Sequence, residues 1–320
     1  MFYNKTKNLK NMKKTFRLIL FAFIAMSVTF TSCKKDDTTA AENSDLTTHS
    51  DDQSRFSAES DAAINDANAA VESFAAFEGR EESVLTLPCD ATVLLDSTAT
   101  LRRITITYNG NNCSGTRIRT GVVVLTMPLG IRWRDAGAVL TTSIQNLKIT
   151  RVRDNKSITI NGTHIVTNVS GGRLRDLASL GTIVHTITSP GMNVTFDNGA
   201  QRSWQVAKRR TFTYNNGIVI STVGTHTDGS TTGISEWGLN RFAIPFVTVI
   251  NQPMVFRQDC DFRLVSGELS HQRLASSVVV TFGLDATGAP TSCPAVGSTY
   301  YYKVVYTNAN GIVRTFILPY

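Results

Sequence analysis

The chain has 320 residues, of which 42% are hydrophobic and 18% charged. That balance excludes wholesale disorder and leaves enough apolar material for a sizeable core. The net charge of +7 points at first to an acidic partner, but six of the bases (Lys5, Lys7, Lys10, Lys13, Lys14 and Arg17) lie before residue 33 with no acid among them. Without that segment the remainder is close to neutral, and the sequence predicts no nucleic-acid binding.

The basic start runs into Leu18–Phe30, an apolar stretch of the length of a signal-peptide core and too short to span a bilayer comfortably. Thr31-Ser32-Cys33 comes next and resembles the bacterial lipobox, with Phe30 where leucine is usual. Residues 1–32 are therefore read as a lipoprotein signal peptide, and Cys33 as the residue that carries acyl chains such as palmitate. Each acyl CH₂ buried in a membrane contributes about 0.8 kcal/mol. Lys34-Lys35-Asp36-Asp37 resembles the charged stretch after the lipid cysteine of Bacteroidota lipoproteins. That resemblance implies an outer membrane location facing the cell exterior, with the periplasmic leaflet as the alternative.

Residues 33–58 are rich in Thr, Ser, Asp and Glu with no apolar period, and read as a flexible, lipidated tether. Residues 59–79 read as a short acidic helix, with Ile64, Val71, Phe74 and Phe77 on helical spacing and Gly79 as its stop. Residues 34–85 carry 13 acids against 4 bases, and residues 86–320 carry 12 acids against 22 bases. Opposite charges of that size let the helix lie against the basic remainder of the chain, or leave it as an exposed spacer.

From residue 86 the period becomes two. Ile104, Ile106 and Tyr108 alternate with polar residues, as do Val278, Val280 and Phe282. Strands are expected over 121–127, 139–153, 157–168, 181–188, 193–197, 201–214, 218–227, 241–251, 261–271, 300–307 and 311–318. Asn109-Gly110, Asn161-Gly162, Asn198-Gly199, Asn216-Gly217 and Asn310-Gly311 are tight-hairpin signals. The expectation is an all-β body over 86–320: long antiparallel strands in an elongated sheet or open sandwich. A weak internal echo divides it into related modules, 86–190 and 191–320. In the strand over 201–214, Lys208 and Arg210 interrupt the face carrying Trp204, Val206 and Phe212. The interruption suggests that the strand leaves the core or bends at a bulge.

Besides Cys33 the cysteines are Cys89, Cys113, Cys260 and Cys293. An even number in an exported chain points to disulfides. Local context favours Cys89–Cys113 and Cys260–Cys293 over the other connectivities. No spacing suits a zinc site, and no cofactor or metal is expected.

Catalytic motifs are absent: there is no His-Glu-x-x-His, no Gly-x-Ser-x-Gly and no phosphate-binding glycine loop. His164, His185, His226 and His271 read as scattered sheet residues. Asp259, Asp261, Glu268 and Glu236 are the carboxylates from which a glycan hydrolase would draw its pair, with the first two reading rather as turn residues. Aromatic residues favour binding over catalysis. Trp133, Trp204 and Trp237 are the candidate ligand contacts, along with Tyr300-Tyr301-Tyr302 and the basic run Lys208-Arg209-Arg210.

The pieces ITITYNGNNCSGTRIRTGVVVL, VTFDNGAQRSWQVAKRRTFTYNNG, CDFRLVSGELSHQ and KVVYTNANGIVRTF, behind a lipid cysteine and an acidic helix, resemble a group of β-rich Bacteroidota surface and outer-membrane lipoproteins. IRWRDAG resembles that group's aromatic-Arg-Asp-Pro-Gly turn, with Ala136 in place of proline, which makes Asp135 and Gly137 turn residues. The resemblance implies no activity, ligand or catalytic residue. The expectation is a lipid-anchored, non-catalytic binding or structural module whose partner is a polysaccharide or an envelope protein. The alternatives are a secreted glycan hydrolase and an assembly subunit pairing through its strand edges.

Overall fold

Runs of Val, Ile and Thr with restricted χ1 become strands almost wherever they occur after residue 90. The computed structural model describes residues 36–74, 77, 87–260, 262–273, 276–291, 293, 299–308 and 310–320. The segment expected to be a signal peptide, Cys33, Asp261 and the segment 78–86 lie outside them. Among the described residues the chain forms one long helix, α1 (Asp36–Ser73), and fifteen strands.

The strands are β1 (Ala91–Leu95), β2 (Leu101–Asn111), β3 (Arg117–Pro128), β4 (Ala138–Arg151), β5 (Ser157–Asn168), β6 (Thr182–Phe196), β7 (Gln201–Tyr214), β8 (Ile218–Gly224), β9 (His226–Asp228), β10 (Thr231–Leu239), β11 (Pro245–Arg257), β12 (Arg263–Arg273), β13 (Ser276–Leu284), β14 (Tyr301–Thr307) and β15 (Val313–Pro319). A 3₁₀ turn at Leu174–Asp176 leads into α2 (Leu177–Leu180) between β5 and β6.

All fifteen strands belong to one antiparallel sheet. Its order runs with the chain from β1 to β7, passes to β10 and continues to β15. β8 bridges β7 and β11, and β9 pairs with β10. The part from β2 to β11 curls like an open barrel around residues 51–73 of α1, and the later strands extend it as a sheet. Among the described residues no second sheet forms, which corrects the sandwich, one of the two expected architectures. β6 runs through the boundary at residues 190 and 191, so the two expected modules share one uninterrupted sheet.

The helix also departs from expectation. It begins at Asp36 and ends at Ser73, so residues 36–58 of the expected tether are helical. Its low apolar content gave the sequence little to read, because polar side chains do much of its packing.

Phe56, Ala63, Ile64, Ala67, Ala70 and Val71 are buried in one core with Ile106, Val123, Leu125, Leu140, Ile160 and Val194 from the sheet. Phe56 meets Trp204 edge-on at 4.6 Å. Burying an aromatic side chain of this kind contributes about 2–3 kcal/mol.

A line of register shifts gives the sheet its curl. β3–β4 shifts between Thr120 and Val122, β4–β5 between Ile144 and Leu147, β5–β6 between Gly162 and Ile165, and β6–β7 between Ser189 and Met192. Glycine is required on this line. Gly121 has φ +124°, and a Cβ there would sit 2.4 Å from the Asn146 carbonyl oxygen. Gly162 has φ +137°, with Met192 Sδ only 2.8 Å from such a Cβ. Asn161-Gly162, expected as a hairpin turn, is therefore a bend inside β5, and Asn109-Gly110 likewise lies inside β2. Asn198-Gly199 and Asn216-Gly217 do make turns between strands.

Candidate binding surface

The inner face of the curled sheet is basic, and residues 51–73 of α1, which face it, are acidic. Lys208 and Arg210, whose place in β7 looked like a break in the core pattern, point inward and are almost fully buried. Lys208 Nζ lies 2.7 Å from Glu236 of β10 and 3.4 Å from Asp61 of α1, and donates to Ser57 Oγ at 2.9 Å. Arg210 reaches Asp61 at 2.8 Å and Asn65 Oδ1 at 2.9 Å. Burial raises the Asp61 pKa, but Lys208 and Arg210 more than offset it and hold the carboxyl below its ordinary value. Gln53 donates to Glu236 at 2.8 Å.

The pairing continues along the helix. Arg151 grips Asp51 with two bonds at 2.8 and 3.1 Å, and Arg241 grips Asp52 with two at 2.6 Å. Arg117 pairs with Glu59. Asp66 accepts from Tyr108 and Arg119, both at 2.8 Å. The expected attraction between acidic helix and basic body is therefore realised as pairs that are buried at Lys208 and Arg210 and partly buried elsewhere, and the basic run Lys208-Arg209-Arg210 leaves only Arg209 exposed.

Three of the histidines expected on sheet faces are buried inside. His164 Nε2 bonds Ser60 Oγ at 2.9 Å, and His271 Nδ1 bonds Thr248 Oγ1 at 3.0 Å. His185 packs between Trp133 and Phe212 at 5.0 and 4.7 Å. Burial pushes each of them down to about 3, so they stay neutral at physiological pH.

Two tryptophan contacts must be withdrawn. Trp133 and Trp204 are fully buried, because the turn at 132–137 and the inward phase of β7 carry them into the core. Trp204 Nε1 donates to the Leu239 carbonyl at 2.6 Å. Asp135 accepts from the Arg132 amide at 2.7 Å, and Gly137 has φ +78°, so the expected turn is present. Tyr300 and Tyr302 are buried, and Tyr301 is half-buried.

Trp237 behaves differently. It lies on β10, a strand missed because Gly233 and Gly238 interrupt its pattern. Glu236 points inward, so Trp237 points outward and stays half-buried. Its indole stacks on the His226 ring, with centroids 4.1 Å apart and planes 13° from parallel. Gln205 of β7 and Val247 of β11 stand opposite Trp237 on the neighbouring strands. His226 and Gln205 carried no signal in the sequence, since it is the pairing of β9 and β7 with β10 that brings them beside the indole.

Among the described residues the carboxylates Glu236, Asp259 and Glu268 each have separate partners. Glu236 is fully buried and paired with Lys208, whereas Asp259 is exposed and gripped by Arg257 at 2.7 and 2.9 Å. Glu268 bonds Asn251 and Thr281. The bridges Cys89–Cys113 and Cys260–Cys293 are formed, with Cα separations of 5.6 and 5.4 Å. Asp259 lies close to Cys260 and Cys293, but both sulfurs are committed to the bridge. A pocket of about 420 Å³ beside it is lined by Arg257, Asp259, Val265, Thr291 and Cys293. Among the described residues no helix is long and apolar enough to cross a membrane.

No protein-family model matches the chain, and neither curated proteins nor solved structures give a significant match.

Proposed function

We propose that the chain is a lipid-anchored, non-catalytic binding module of the cell envelope, held in the outer membrane through Cys33 and recognising a polysaccharide or an envelope protein. The observation that carries this reading is the Trp237–His226 stack on the outer face of β10. The inner face, where a curled sheet would ordinarily take a ligand, is filled by residues 51–73 of α1, so on this reading recognition belongs outside. A half-buried indole held rigid by a stacked imidazole presents flat apolar area at little entropic cost, and Gln205 beside it supplies amide donors and acceptors. Those are the groups that bind a sugar ring.

The test is a glycan and envelope-fraction binding screen on the full chain and on Trp237→Ala. Saturable binding by the parent, lost in the variant at unchanged melting temperature, is the expected result. Equal binding by the variant, or none by either protein, overturns the reading. Trp133→Ala and Trp204→Ala are unsuitable probes, because removing a buried tryptophan costs about 3–5 kcal/mol of stability. For the anchor, the parent is expected to incorporate labelled palmitate in a Gram-negative host and Cys33→Ser to incorporate none. Equal labelling of both contradicts anchoring at Cys33.

A second reading, an assembly subunit pairing through strand edges, has an observation in its favour. Among the described residues both ends of the sheet, β1 and β15, are open edges with exposed apolar side chains: Leu94 and Leu95 on one, Val313 and Ile317 on the other.

A further inference from the structure

The edge at β15 is specific enough to name its occupant. The amide of Asn308 donates to the Ile312 carbonyl at 3.1 Å, and that of Tyr320 to the Tyr300 carbonyl at 2.9 Å. Bonded and non-bonded pairs alternate along an antiparallel ladder. The register of β14 with β15 therefore assigns the β14 bonds to Arg314, Phe316 and Leu318. Val313, Thr315 and Ile317 then point their N–H and C=O groups away from the sheet. The register has no shift along its length, so no bulge twists this edge away. Arg153 donates to the Pro319 carbonyl at 3.3 Å and marks the end of the open stretch. Val313 is 58% exposed and Ile312 50% exposed.

The same reasoning gives β1 much less to offer. Asp96 donates to the Arg103 carbonyl and Asn109 to the Asp90 carbonyl, which leaves Ala91, Val93 and Leu95 facing outward. The Ala91 amide is already turned to the Pro88 carbonyl.

We propose that β15 pairs with β15 of a second copy of this chain about a two-fold axis through Thr315, which deepens and rests on the assembly reading above. The strand is self-complementary in that register. Thr315 faces Thr315 of the second copy, and Val313 faces Ile317. Each of these pairs exchanges both of its backbone bonds. On the other face Arg314 comes opposite Phe316, and Ile312 opposite Leu318. Arginine thus meets an aromatic ring and not its own copy, so no like charges are juxtaposed. A two-fold contact of one patch with itself closes at two subunits, whereas β1 against β15 would be head-to-tail and build a ring or an open filament.

The test uses the full chain extracted in detergent, with sedimentation measured across a wide concentration range. The expected result is a protein mass that doubles with concentration and stops there. Thr315→Pro removes an N–H that points only outward, so it is expected to return the chain to monomer, with the melting temperature of the parent measured at dilutions where the parent is also monomeric. Thr315→Cys is expected to form an intermolecular disulfide on mild oxidation, since facing residues of a bonded pair have Cα atoms about 5.5 Å apart. Ile317→Cys, which faces Val313, is expected to form none. A monomer at every concentration overturns the assembly reading and this proposal together. Association that survives Thr315→Pro, growth beyond two copies, or equal cross-linking of Ile317→Cys overturns the β15 pairing while leaving assembly by another surface standing.

Discussion

At the residue scale the interior is defined by what each buried ionisable group does with its proton. His164, His185 and His271 are neutral in the fold but take up protons below about pH 6.5 once unfolded. Their folded values are depressed, so the stability they leave intact above pH 6.5 is lost as pH falls towards 3. Glu72 works in the opposite sense. Burial raises it to about 7, although its Oε1 accepts the Leu174 amide at 2.8 Å. A raised carboxyl contributes stability below its unfolded value, and that contribution disappears as pH climbs to 7. Near pH 5 the histidines add about three protons on unfolding and Glu72 gives back most of one. Denaturation across pH 4.5–7 is therefore expected to show a steeper rise of stability with pH in Glu72→Gln than in the parent, and a more stable variant above pH 7. Identical slopes would contradict this assignment. None of it was legible in the sequence, because a lone histidine on a strand carries no mark of which face is buried.

At the element scale, alternation marked most strands well. β5 and β7 have the expected bounds, and the segments expected over 181–188 and 193–197 are one strand, β6, carried through Pro190 and Gly191. β1 and β10 were missed, one for its shortness and the other for its glycines. The break at Lys208 and Arg210 was visible, but its cause lies in α1, more than a hundred residues earlier. An Asn-Gly pair reads as a hairpin turn unless the neighbouring strand is known. At Gly162 the neighbour is Met192, and the pair makes a bend instead. Gly162→Val would place a side chain against Met192 at a positive φ, and is expected to cost about 3 kcal/mol or more in chemical denaturation. A loss under about 1 kcal/mol would show that the bend does not need glycine.

At the scale of the whole molecule, the charge asymmetry between residues 34–85 and 86–320 was the strongest sequence clue to the architecture. It resolves into a sheet folded round residues 51–73 of its own acidic helix. The sequence could not reveal that residues 51–57 pack against the sheet. Asp51, Asp52 and Gln53 look like tether residues until Arg151, Arg241 and Glu236 are brought to them by the curl. Paired charges of this kind stabilise little relative to apolar packing, but leaving one unpaired costs several kcal/mol. The helix and the sheet should therefore hold or open together. Amide hydrogen exchange of the native full chain, read by mass spectrometry over residues 51–73, tests this most directly. The account predicts that these amides exchange as slowly as those of β5 and β7, by global opening alone. Exchange of the helix within seconds, with the strands still protected, would contradict it.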